Sequence, residues 1–162
     1  DEEIAQRLRG IRVPVIVAVN KIDLTYRRRE PRGAIDADLD LDGETVRVIV
    51  THLGLRGVER RFQVGKLLAA LGNQRSRIVI VMSDFNEWMP TGRSLRWIHT
   101  RLGKTALIRT FPSGFPLFAL DRIWVSPPGA LTALACLRTP LTRLASDHLP
   151  LKALIQCPPT ER

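Results

Sequence analysis

The stretch Arg77 to Trp88, RIVIVMSDFNEW, constrains the fold of this chain more than any other. Five consecutive apolar residues, Ile78 to Met82, suit a strand buried on both faces, and the run stops abruptly at Ser83-Asp84-Phe85-Asn86. A carboxylate and an amide two positions apart, just past the carboxyl end of a central strand, lie at the mouth of an α/β sheet, where ligands usually bind. Asp84 is placed there to hold a divalent cation and Asn86 to orient a phosphate oxygen, although Asp and Asn are also ordinary turn residues.

On either side of that strand the pattern is legible in pieces. In residues 34 to 51, Ile35, Ala37, Leu39 and Leu41 alternate with Asp36, Asp38 and Asp40. Asp42-Gly43 then supplies a turn, and Val46, Val48 and Val50 resume the apolar face. This predicts a β-hairpin whose two-residue loop sets Leu39 opposite Val46 and Asp38 opposite Arg47. Strict alternation reads the three aspartates as a solvent face, not as metal ligands. Val58 to Leu71 reads as an amphipathic crossover helix, with Val58, Phe62, Leu68 and Leu71 inward, Arg60, Arg61 and Lys66 outward, and Gly72 at the C-cap. Thr91 to Leu102 is a second helix with Leu95, Ile98 and Leu102 on one face, which leaves His99 exposed or locally bonded. The aromatic loop 110 to 116 either stacks on a base or acyl group of a substrate or packs on the sheet rim. Leu117 to Val125, Leu131 to Leu137 and Leu149 to Ile155 read as strands. Residues 158–162 read as a frayed tail, and Asp1 to Arg9 as a short helix with acids first and arginines last. Val13 to Val19 reads as a strand leading to Asn20-Lys21-Ile22-Asp23.

At 162 residues the length fits one domain with a substantial core. The formal net charge is +9, and all the cations except Lys21, Lys66, Lys104 and Lys152 are arginine, whose planar fork matches phosphate oxygens. A phosphate-bearing partner fits that balance, and so does a charge scattered over the surface that selects nothing. Arg27-Arg28-Arg29-Glu30-Pro31-Arg32 is the densest basic cluster, and Pro31 favours loop or extended geometry there. Cys136 and Cys157 have no metal-site spacing and suggest no disulfide framework. No run approaches the roughly 18 apolar residues of a membrane span, and the acidic start is unlike a signal peptide. The default expectation is a soluble protein of the reducing cytoplasm, with its oligomeric state open.

Four stretches taken together carry more than any one of them. THLGL at 51–55, SDFNEW at 83–88, ALDRIWV at 119–125 and SDHLPL at 146–151 resemble, in this order, motifs of the endonuclease/exonuclease/phosphatase superfamily, which includes DNase I and exonuclease III. The resemblance runs from about Arg12 to Ile155 and implies an α/β fold, a two-sheet β-sandwich flanked by helices of the DNase I type, as one domain over 1–162. It also implies a metal-dependent phosphodiesterase or nuclease. In that reading Asp84 and Asn86 position water and phosphate, and His148 is held by the Asp121 carboxylate. Asp147 helps bind metal or orients the site, and His52 sits opposite His148 across the phosphate. The R-E-P stretch places Arg29 and Arg32 as substrate contacts. Carboxylates with an amide favour Mg²⁺ or Mn²⁺ over zinc, with Asp84 and Asp147 as its ligands.

There is one departure. In the family, a strand with an asparagine and another with the main metal-binding glutamate precede the region matched here, and the sequence has neither. The sandwich is therefore expected to be incomplete at its N-terminal side, which makes a catalytically incompetent basic fragment that binds phosphate or nucleic acid the alternative reading. Residues 1–23 also resemble the NKxD guanine-reading segment of ribosome-associated GTPases, a possible separate origin for this stretch. These residues contain no G-x-x-x-x-G-K-[ST] phosphate loop, so GTP hydrolysis is not expected of them and residual guanine affinity is the remotest alternative.

Overall fold

The hairpin forms in the register that its alternation dictates. Leu39 pairs with Val46 and Asp38 with Arg47, between β2 (Gly33–Leu41) and β3 (Glu44–His52). The computed structural model describes residues 17–23, 33–41, 44–72 and 76–156. The expected helix at 1–9, the Asp42-Gly43 turn, the arginine cluster with Arg29 and Arg32, and the tail at 158–162 lie outside these residues. β1 spans Val17–Asp23 and pairs antiparallel with β2, so Asn20 to Asp23 belong to the strand instead of following it.

After β3 the chain crosses over through α1 (Gly57–Leu71) and returns as β4 (Ile78–Asp84), parallel to β3. A parallel return needs such a crossover, and the unbroken apolar run of β4 suits a strand covered on both sides. Helix α2 (Arg93–Leu102) buries Leu95, Ile98 and Leu102 as its spacing predicts. Strand β5 (Asp121–Ser126) then pairs antiparallel with β4, giving a five-stranded sheet in the order β1-β2-β3-β4-β5. A 3₁₀ turn at Pro128–Ala130 leads to β6 (Leu131–Cys136). The short helix α3 (Pro140–Ala145) precedes β7 (Leu151–Ile155), which pairs with β6 in a second sheet.

Two cores follow from this layering. On the helix side, Ile49, Val79, Val81 and Trp124 of the sheet pack with Val64, Leu67 and Leu71 of α1 and with Leu95, Ile98 and Leu102 of α2. On the other side, Val46, Ile78, Ile123 and Val125 meet Leu131, Leu134, Leu151 and Ile155 of the second sheet. This is the expected α/β sandwich with helices outside. No helix among the described residues is long and apolar enough to cross a membrane.

Several local expectations are corrected. The aspartate face of β2 is not a solvent face: Asp36 is buried and accepts two hydrogen bonds from Arg47, at 2.8 and 2.6 Å. Arg60 points inward, while Val58 and Phe62 are exposed; the buried stripe of α1 is Arg60, Gln63, Val64, Leu67 and Leu71. The strand expected from Leu117 begins only at Asp121, because Leu117 and Phe118 fold back to bond the Phe111 carbonyl. His99 is neither exposed nor locally bonded: its ring lies 6.0 Å from that of Trp124 and its Nε2 is buried without a partner among the described residues.

Candidate active site

Strand register alone assembles half of the site. His52 on β3 is the lateral neighbour of Asp84 on β4, and Asp84 is the neighbour of Asp121 on β5. Cross-strand neighbours have their Cβ atoms roughly 5 Å apart on one face. Three ionisable side chains therefore form a row at the carboxyl end of β3 and β4, on the face turned toward the second sheet.

His148 enters the same row from the approach to β7. Its backbone N–H is bonded to the Ser146 hydroxyl at 3.1 Å. The next residue, Leu149, is buried and donates its N–H to the Thr110 carbonyl at 2.9 Å. The Nδ1 of His148 lies 2.7 Å from Asp121 Oδ2, and its Nε2 lies 3.9 Å from Asp84 Oδ2. With the Nδ1 proton given to Asp121, Nε2 faces Asp84. The Thr110 hydroxyl also donates to Asp121 Oδ2 and fixes that carboxylate from behind. Burial opposes a charge on His148, but the Asp121 hydrogen bond and the charges of Asp121, Asp84 and Asp147 outweigh it, and the imidazole is more basic than an ordinary histidine.

Asp84 responds in the same direction for a different reason. Burial, aided by the Asp121 charge, raises its pKa against the lowering effects of the Asn86 N–H and the two imidazoles. Asp84, Asp121 and His148 each offer a ligand atom within 4.8 Å of the others. Asn86 closes the opposite wall in the left-handed conformation, φ 49°, which asparagine tolerates better than most residues. Its N–H bonds Asp84 Oδ1 at 3.1 Å, while its side-chain amide donates to the Leu53 carbonyl at 2.8 Å and lies 3.1 Å from His52 Nε2. That same Nε2 lies 3.4 Å from Asp84 Oδ2. The two contacts exclude each other: a bare Nε2 accepts from Asn86, whereas a protonated one donates to Asp84.

His52, Asp84, Asn86, Asp121 and His148 are thus brought together. The Asp147 carboxylate is exposed beside them and takes the Ser146 hydroxyl at 3.4 Å, outside the group of three. Sequence reading missed three contributors. Thr110 stands in a loop noticed only for its aromatics. Phe111 of that loop places its ring 4.8 Å from the His148 ring. The third is the buried pair of Arg60 and Glu87. Arg60 donates to the carbonyls of Gly54 and Leu55 and to Glu87 Oε1, and so joins the loop after His52 to the turn that presents Asn86. The signal available for Arg60 was its i, i+3, i+4, i+7 spacing with Gln63, Val64 and Leu67.

No protein-family profile matches the chain. The uncharacterized protein YbhP of Escherichia coli K12 is 36% identical over 146 residues, 82% of this chain and 56% of that protein, so the chain spans about half the length of the curated relative it matches. Among solved structures, an endonuclease/exonuclease/phosphatase family protein of Bacteroides thetaiotaomicron superposes with a TM-score of 0.67 and 17% identity over 84% of this chain and 63% of that one. The human Nocturnin catalytic domain with bound sulfate gives 0.63 and 25% identity, over 86% and 58%. The D. rerio TDP2 structure complexed with a single-strand DNA product gives 0.61 and 16%, over 93% and 80%. The fold is that of the endonuclease/exonuclease/phosphatase superfamily, the one its four motifs resemble.

Proposed function

We propose that this chain carries the active site of a divalent-metal-dependent phosphodiesterase that acts on nucleic acid or another phosphodiester. The observation that carries the reading is the convergence of Asp84, Asp121 and His148 within 4.8 Å, with Asn86 and His52 on the facing wall. The sulfate-bound and product-bound structures of proteins with this fold support it.

The donor set fits a hard cation. Asp84 offers a half-buried carboxylate and no thiolate is present among the site residues, whereas Mg²⁺ and Mn²⁺ take one or two carboxylates and complete their shell with water and phosphate oxygens. Asp84 would hold the ion, with Asp147 as a nearby second carboxylate. When bound, such an ion neutralises charge on the phosphoryl oxygens. The protein groups then divide the remaining work. Asp84, next to the Asn86 N–H, positions the attacking water, which gives up a proton to solvent as the bond from phosphorus to the leaving oxygen breaks and that oxygen takes up a proton from solvent. The His148 imidazolium, held by Asp121, donates to a phosphoryl oxygen. Asn86 and His52 orient the phosphate from the other wall, and Arg29 and Arg32 contact the substrate backbone.

The test is hydrolysis of a generic phosphodiester with Mg²⁺, Mn²⁺ or EDTA by the chain, Asp84→Asn, His148→Ala and the double variant. Each single variant should lose most activity, about 10³-fold, and the double little more, because groups that act as a unit are not additive. Activity that survives EDTA or His148→Ala rejects the mechanism. Inactivity of every form, with phosphodiester binding retained, favours the non-catalytic alternative.

A further inference from the structure

Apolar side chains crowd one lip of the site where water should be. On α3, Leu141 is 74% and Leu144 86% exposed, and Phe115, at the tip of the loop that carries Phe111, is 73% exposed. Burial elsewhere in the fold does not leave them there by default. The helix is fixed by a reciprocal cap between Thr139 and Thr142, and the Thr142 hydroxyl also bonds the Leu137 carbonyl, which turns the threonine side toward the protein and both leucines outward. The loop is fastened to the helix: the Ser113 hydroxyl donates to the Arg143 carbonyl at 3.2 Å and its N–H to the Asp147 carbonyl at 2.7 Å. The crest is therefore one built element of helix and loop.

Its charge is predominantly positive, with the exposed Asp147 at its base as the adjoining carboxylate. Residues 106–118 and 137–146 contain three arginines, Arg109, Arg138 and Arg143, all exposed, and no aspartate or glutamate. Projecting leucines interleaved with arginines match a surface that is apolar inside and anionic at its boundary. Phe115 is the one aromatic ring of this crest and the helix offers only leucines, whereas single-stranded nucleic acid is held by aromatic faces on which successive bases stack. A two-fold contact between copies would set three arginines against their equivalents with the single exposed carboxylate of Asp147 beside them.

We infer that the crest formed by Leu141, Leu144 and Phe115, with Arg109, Arg138 and Arg143, docks this protein on an anionic phospholipid bilayer and presents the site to the layer of headgroup phosphodiesters. His148 lies three residues beyond the end of α3, a span of at most roughly 11 Å, so insertion of the leucines leaves the site at headgroup depth. The inference rests on the phosphodiesterase reading for its substrate class, but the docking itself does not require it.

The experiment is co-sedimentation of the full chain and of Leu141→Glu/Leu144→Glu with vesicles of phosphatidylcholine alone or with one quarter phosphatidylglycerol. In parallel, soluble-diester hydrolysis, thermal unfolding, sedimentation velocity and single-stranded DNA binding are measured on both proteins. The expected result is salt-sensitive binding to the anionic vesicles that drops about tenfold or more in the variant, with soluble hydrolysis and melting unchanged. Phe115→Glu, which leaves the helix untouched, should act in the same direction. No vesicle binding, or equal binding by the variants, overturns the inference. A concentration-dependent dimer or single-stranded DNA binding lost in the variants, without vesicle binding, assigns the crest to that occupant instead. Vesicle binding without hydrolysis of any diester upholds the docking and sinks the phosphodiesterase reading.

Discussion

On the helix side of the five-stranded sheet Asp36 is only 6% exposed and bound through both oxygens to Arg47, whereas on the sandwich side its chain neighbour Ile35 is 57% exposed. The difference lies in what covers each face. Helix α1 lies over β2 and β3, and its Ala70 carbonyl even accepts from Arg47 at 3.1 Å. The second sheet packs on β3, β4 and β5 through Val46, Ile78, Ile123 and Val125 and leaves the outer part of β2 open among the described residues. Alternation along a strand sorts side chains into two faces; it does not say which face acquires a lid.

The contrast is broken most sharply at Asp36. Asp36→Ala would strand the Arg47 guanidinium beneath the helix and should cost about 3–5 kcal/mol, while replacing both residues with apolar side chains of similar volume should restore most of it. Urea unfolding of the two variants decides the matter. If Asp36→Ala proves as mild as a surface change, the helix side is wetter than the buried pair implies.

Glu87 tests whether the helix side also governs the site. Its carboxylate meets Arg60 at 3.3 Å, and both side chains are nearly inaccessible. Glu87→Ala should destabilise by about 2–3 kcal/mol through the unpaired arginine. It should also lower kcat by about tenfold with little change in KM, because the turn carrying Asn86 loses its tie to the loop after His52. A loss confined to stability, with kcat intact, would make the pair purely structural.

The sandwich side should be far more forgiving at its open end. Ile35→Thr is expected to shift stability by no more than about 0.5 kcal/mol, since the side chain is mostly in water in the folded state already. A loss of several kcal/mol would mean that Ile35 is covered in solution.

The sequence was readable where local rules act without competition. The hairpin register came from alternation plus a two-residue turn, and strand β4 from an apolar run that ends in polar residues. The row of His52, Asp84 and Asp121 was legible because each residue closes or opens a strand, so register places them side by side. What escaped depended on partners distant in sequence. Arg60 was placed outward because an arginine on a helix is usually solvated, and only the carbonyls of Gly54 and Leu55 with Glu87 make its burial tolerable. Thr110 gained its role from Asp121, eleven residues on. Helix α3 was signalled by Thr139-Pro140, a cap residue before a proline at the first helical position, but six residues are too few for a periodic pattern to show.

The smallest effect concerns the one histidine outside the site. Burial, then the charges of Arg122 and Lys104, lowers the pKa of His99 below its ordinary 6.5. The sign follows from proton uptake. Below about pH 6.5 the unfolded chain binds a proton at this position that the folded chain refuses, so stability falls as pH drops from the unfolded value toward the folded one and is unaffected by this residue above it. His99→Gln removes the titration. The stability difference between the variant and the parent should be flat above neutrality and should move in favour of the variant as pH falls below 6.5. Urea unfolding across this range is the measurement. Parallel curves would show that the His99 ring accepts its proton in place, with water reaching Nε2, and that the helix side of the sheet tolerates charge at α2 as it does at Asp36.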